Sequence, residues 1–168
     1  MGLKLVTAPT SYPVLVSELK DHLRVDFTDD DELIEAILQS AIAAAQEYTG
    51  RVFIDQTWDY YADAFPEDGK PIVLPNPPLI AVSAVYYRDT NGDEQEFSSS
   101  SYLVDETEQK ARVALAYAAS WPTIQERINA VRVRFRAGYL SPDSPDREAV
   151  PFDIKAAIKL IAGSLYEH

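Results

Sequence analysis

The 168-residue chain is 46% hydrophobic, enough for one ordinary domain core, and its 15 Lys or Arg against 27 Asp or Glu give a formal net charge of -12. That acidity opposes any general attraction to nucleic-acid phosphates or anionic lipid, which argues against tight non-specific DNA binding. With no cysteine there are no disulfides, thiolate metal sites or cysteine nucleophiles. Met1 to Thr10 lacks a basic-then-apolar leader and no apolar run approaches the roughly 18 residues of a membrane helix, so a soluble, cytoplasmically made protein is expected.

After an extended start broken by Pro9 and Pro13, Ser17 is placed to cap a short helix with Glu18 in its first turn and Leu19 and Leu23 on one face. Asp29 followed by Glu32 makes a capping-box pattern, and the run Asp29, Asp30, Asp31, Glu32 suits the positive end of a longer helix. The apolar positions Leu33, Ile34, Ile37, Leu38, Ala41, Ile42, Ala45 and Tyr48 recur at steps of three and four, predicting one buried stripe that stops at Gly50. From Gln56 the texture becomes aromatic and β-branched between Pro, Gly and Asn, as short antiparallel strands require.

Between Ala81 and Phe97, two strand-like runs flank Asp89-Thr90-Asn91-Gly92-Asp93, and Asn-Gly supplies the positive φ values of a tight hairpin turn. Further strands are predicted at Tyr102 to Val104, Ala111 to Tyr117 and Val131 to Ala137. In the last, Val131, Val133 and Phe135 alternate with Arg132, Arg134 and Arg136, so one face is buried and the other basic. A polar stretch from Ser141 to Glu148, with Pro142 and Pro145, leads to Pro151 in the first turn of a last helix whose stripe is Ile154, Ala157, Ile158, Ile161 and Leu165. The predicted class is α+β, one domain over 1–168. Residues 1–53 and 148–168 form a helical base, and 54–140 an inserted antiparallel β-rich region of the kind that projects toward partners.

The catalytic inventory is thin. His22 and the terminal His168 are the only imidazoles, so no site of two structured histidines forms, and nothing near His22 pairs a nucleophile with a base. The consecutive acids at 29–32 lack the alternating spacing of a calcium loop, and the Gly of the 89–93 turn comes too early for one. No phosphate-cradling glycine loop or nucleophile elbow is present. The expectation is a non-enzyme without metal or cofactor.

Ten tyrosines and two tryptophans fit cross-strand packing, with stacking of a carbohydrate on Tyr60, Tyr61, Tyr86 or Tyr87 as the alternative function. Arg132, Arg134 and Arg136 form a basic stripe that pairs either with an acidic surface on a neighbouring subunit or with an adjacent acidic strand of its own sheet.

In this order the segments PVLVSELKDHLRVD at 13–26, DDDELIEAILQSAIAAAQEYTGRVFIDQTWDYY at 29–61, LPNPPLIAVSAVYY at 74–87, YAASWP at 117–122, VRVRFRAGY at 131–139 and VPFDIKAAIKLIAGSLYE at 150–167 resemble the head-tail connector, or adaptor, proteins of long-tailed bacteriophages and prophages. The most specific element is the long helix closing in Tyr48-Thr49-Gly50-Arg51, followed by Gln56-Thr57-Trp58. The resemblance implies a structural protein of the virion, made in the host cytoplasm. Such subunits form a ring, commonly of twelve, between the portal protein and the stopper or tail, with DNA passing through without specific binding. It carries no catalytic residues. Members often continue past the last helix into a tail that contacts the portal. The interface residues expected are Arg132, Arg134 and Arg136 on one subunit and Asp29, Asp30, Asp31 and Glu32 on the next, in a heterologous contact.

Overall fold

The computed structural model describes residues 1–141 and 146–167. Pro142 and Pro145 of the predicted polar stretch, and His168, lie outside the described residues. The class is α+β, and the chain divides into two compact units: one of residues Met1–Ala8 and Asp55–Gly138, the other of Pro9–Ile54 and Tyr139–His168.

The first unit is built of strands β1 (Gly2–Thr7), β2 (Gln56–Ala62), β3 (Ile72–Val73), β4 (Leu79–Arg88), β5 (Glu94–Phe97), β6 (Tyr102–Asp105), β7 (Arg112–Leu115) and β8 (Val131–Ala137). Five of them form an antiparallel sheet in the order β1-β2-β8-β4-β5, and three form a second in the order β3-β7-β6. The extended start, grouped with the helices on sequence grounds, is thus an edge strand, with Leu3 opposite Tyr60 and Leu5 opposite Trp58. Central β8 has the predicted alternation: Val131, Val133, Phe135 and Ala137 are buried, and its arginines share the opposite face. Phe65, Phe97, Tyr102 and Trp121 form a ring cluster, in which Phe65 stacks on Trp121 with centroids 4.6 Å apart and Phe97 lies 6.1 Å from Tyr102. The loop bearing YAASWP is therefore anchored through Trp121.

The 81–97 hairpin forms, by a different turn from the one expected. Gly92 alone has positive φ, at 91°. The Asp89 carbonyl accepts the Gly92 N–H at 2.9 Å, and the Asp89 carboxylate accepts the N–H groups of Asn91 at 2.9 Å and Asp93 at 3.0 Å. An Asp side chain that mimics a turn of backbone removes the need for a left-handed Asn.

The second unit holds helices α1 (Val16–Leu23), α2 (Asp31–Thr49), the short α3 (Asp146–Ala149) and α4 (Phe152–Tyr166). Its core joins Val14, Leu19, Ile34, Leu38, Ala41, Ile42, Ala45, Phe53, Ile158 and Ala162. α1 starts one residue before the predicted Ser17 cap, and Glu18 reaches back to accept the Leu15 N–H at 2.7 Å. At α2 the cap is Asp30 rather than Asp29, and no side chain caps it; Gly50 ends the helix in the left-handed conformation. At α4, Pro151 is the N-cap itself. The predicted stripes are too wide at their margins. Leu33, Ala157 and Leu165 are exposed and Tyr48 is 93% exposed, while Ala162 is buried. Which apolar positions of a helix are covered depends on where its neighbours cross it, which the helical repeat does not encode.

Candidate functional site

The arginine face of the five-stranded sheet is built from β2, β8, β4 and β5. Cross-strand register sets Arg136 opposite Thr57, Arg134 opposite Asp59 and Arg132 between Tyr61 and Tyr86. Asp59 is 3% exposed and accepts two hydrogen bonds from Arg134, each 2.8 Å, and one from Arg132 at 3.3 Å. Burial alone would raise the Asp59 pKa; the Arg134 hydrogen bonds and the charges of Arg132 and Arg134 outweigh it and hold the carboxyl below its ordinary range. Arg132 also donates to Glu94 at 2.8 Å and lies 4.1 Å from the centroid of the Tyr86 ring. Arg136 pairs with Asp55, its Nε donating to Oδ1 at 3.1 Å. Of the two readings open from sequence, the adjacent-strand one describes these contacts. No local sequence pattern marks Asp55, Asp59 and Glu94 as the partners, although Asp59 lies at the alternation position that faces Arg134.

The acids of the 29–32 run are placed in the helical unit, where Asp30 accepts the Tyr166 hydroxyl at 2.8 Å and Asp31 pairs with Lys20. Asp29 and Glu32 are exposed. The run is therefore more than a solvated helix end, since two of its members tie α2 to α4 and α1.

The four tyrosines offered for carbohydrate stacking do not share a face. Tyr61 and Tyr86 are on the arginine side, Tyr60 and Tyr87 are opposite Val133 and Val131 on the buried side, and Tyr86 is covered by Arg132. Period-two alternation separates neighbouring residues, so consecutive tyrosines cannot line one platform.

The helical unit carries a second feature that hydrophobic periodicity missed. On α4, Phe152 is 83% and Leu160 66% exposed, and Ala157 lies in the same outward sector with Asp153 its one charge. On α2 a flank of Leu33, Ala36, Ser40, Ala44 and Tyr48 is exposed beside the acids Glu32, Glu35 and Glu47. A solvent face of a surface helix is ordinarily charged, so the α4 face and this one flank of α2 are unusually apolar and small.

Residues 14–132 match the family described as phage gp6-like head-tail connector protein. A chain from the virion of a native gene transfer agent (GTA) particle is 27% identical, with TM-score 0.83 over 100% of this chain and 85% of that one. Another, from the neck of the empty GTA particle computed with C6 symmetry, is 26% identical with TM-score 0.82, covering 100% and 85%. A third, from the neck of the native GTA particle computed with C12 symmetry, is 25% identical with TM-score 0.80, covering 100% and 84%. No curated protein matches the chain.

Proposed function

The chain belongs to the phage gp6-like head-tail connector family, structural proteins of the head-tail junction, and from that premise we propose that it acts as one subunit of a twelve-membered ring between the portal and the stopper or tail. It is made in the host bacterial cytoplasm and ends in the virion neck. It has no catalytic role, needs no cofactor and contacts no membrane. The observation that carries this reading is the apolar, small-residue outer face of α4 together with the exposed flank of α2 that bears Leu33 and Tyr48, which suit close helix packing between copies. The neck of the native GTA particle with C12 symmetry supports the ring and its order.

Acidic surface lines the channel. The helical unit holds 14 Asp or Glu against 6 Lys or Arg, and a negative wall repels phosphate and forms few counterion-releasing contacts, so DNA slides without being held. At the subunit contact, Asp29 and Glu32 of one copy face the arginine side of the next, Arg132, Arg134 and Arg136, by charge complementarity. Asp30 and Asp31 belong to this edge but hold helices together.

The test is electron microscopy of the protein mixed with candidate portal rings. A new ring of density below the portal is expected for the parent chain and its loss for Leu160→Glu, which sits on an exposed position and spares the fold. A parent chain that ignores every portal, or a Leu160→Glu chain that docks as well as the parent, overturns the reading. Asp29→Lys with Glu32→Lys is the clean probe of the charge contact, because reversing Arg134 would strand buried Asp59.

A further inference from the structure

At one end of the arginine face the chain forms a concavity of about 170 Å³ lined by Tyr61, Tyr86, Arg88, Glu94, Arg127 and Arg132, among others. Three arginines against one carboxylate make it net positive in a chain of net charge -12. Counting the adjacent Asp59 with both arginines that hold it leaves the balance unchanged. Such a charge excess in a concave, partly desolvated place is what an incoming oxyanion requires.

Two of the three guanidiniums are held in place before any ligand arrives, and the third rides on a fixed loop. Arg132 is fixed by Asp59, by Glu94 and by the Tyr86 ring beneath it. Arg88 donates to the Gly92 carbonyl at 3.5 Å and pairs with Glu94 at 3.4 Å. Arg127 rides on a loop clamped at both ends: Gln125 N–H donates to the Arg88 carbonyl at 3.0 Å, Arg88 N–H to the Ala130 carbonyl at 2.8 Å, and Asn129 N–H to Asp63 at 2.9 Å. Asn129 takes the left-handed turn, with φ of 56°, that lets the loop close. Among the described residues the Arg127 side chain donates only to the neighbouring Ile128 carbonyl, from Nε at 3.4 Å, so its fork remains available.

We propose that this concavity is a receptor for a single carboxylate side chain presented by a protein neighbour, with Arg127 as the capturing group and Arg88 and Arg132 as fixed walls. It rests on the reading of the chain as a subunit that docks to proteins. Volume and charge select the ligand class. A space of about 170 Å³ admits one Asp or Glu side chain, whereas a nucleic-acid phosphate comes attached to a polyanion that the rest of this acidic chain repels. The preformed Arg88 and Arg132 forks lower the ordering cost of capture, which then falls on the Arg127 side chain alone.

The experiment is a solution NMR titration of the full chain, following arginine Nε–H resonances, with the monocarboxylate N-acetyl-glutamate α-methylamide in one arm and dimethyl phosphate in the other. Saturable shifts confined to Arg88, Arg127 and Arg132 are expected with the carboxylate. Arg127→Glu should weaken that response by at least about tenfold, with the charge-matched control Arg24→Glu, just past α1, leaving it intact. Uniform shifts at all arginines, an unchanged response in Arg127→Glu, or a stronger response to dimethyl phosphate would overturn the assignment. The titration needs no assembly, so its failure and a failure of ring formation are separate results.

Discussion

Removing Asp59 should destabilise the sheet unit more than any other single change to its polar face. The carboxylate is buried and satisfies donors from two guanidiniums, at 2.8, 2.8 and 3.3 Å. Breaking a buried ion pair by deleting one partner costs about 3–5 kcal/mol, because a charge is left without compensation. Two features move Asp59→Ala toward the low end. The Arg134 side chain is 36% exposed and regains water, and Arg132 keeps Glu94. A loss of about 3 kcal/mol corresponds to a fall in Tm of roughly 6–12 °C for a chain of this size. Calorimetry with near-ultraviolet circular dichroism measures it, and the Asp59→Ala/Arg134→Ala double variant supplies the coupling energy. Asp59→Ala within about 0.5 kcal/mol of the parent at neutral pH would refute the reasoning. The pH profile is an independent check. A carboxyl whose folded pKa is depressed binds fewer protons folded than unfolded, so stability rises with pH between the two values. The Asp59 contribution is fully present above the unfolded value of about 4 and is lost as pH falls below it through the folded value. The Asp59→Ala chain should therefore show a shallower acid decline than its parent.

Three further outcomes follow from single contacts. Gly92→Val forces a β-branched residue to φ of 91° and sets a Cβ 3.3 Å from Gln125, and urea unfolding should report a loss of about 1–3 kcal/mol. Phe135→Ala empties a fully buried site in the central strand and should cost about 3–5 kcal/mol by the same assay. The Asp30 carboxylate, by accepting the Tyr166 hydroxyl, raises that phenol's pKa, so Asp30→Asn should move its spectrophotometric titration to lower pH; an unmoved titration would remove the α2–α4 hydrogen bond from consideration.

The alternation of β8 was legible because its valines, Phe135 and arginines have only one way to sit on a half-buried strand. The same holds for the 81–97 hairpin, where strand content and a Gly-containing turn agree, although the turn type depended on the Asp89 side chain. The arginine partners were not legible, since Asp55, Asp59 and Glu94 are brought to β8 by strand order, which no local pattern encodes. Periodicity placed Leu33, Tyr48, Ala157 and Leu165 in the core because it counts apolar residues and not which of them the packed helices cover. Those misassigned residues, with Phe152 and Leu160, make up much of the apolar surface on which the ring proposal rests. A side chain that fits the helical repeat but finds no room inside is a mark of an interface, and one visible only when the packing is known.

Salt distinguishes the two kinds of contact proposed between subunits. Each copy carries a net charge of -12, so bringing copies together meets long-range repulsion, whereas helix-face packing is indifferent to charge and an arginine-carboxylate contact acts within a few ångströms. At about 0.01 M ionic strength the screening length is about 30 Å and the whole charge of a neighbour is felt; at about 0.15 M it is about 8 Å and only close groups interact. Association of subunits with a portal ring, or with each other, should accordingly strengthen over that range, as followed by sedimentation velocity. If the apolar faces of α2 and α4 provide most of the contact, the gain should persist at higher salt, because exposed ion pairs are then weakened while apolar burial is not. Association that falls steadily from the lowest salt upward would mean that close charge pairs dominate. The outer helix faces would then be bystanders, and the arginine face the principal joint.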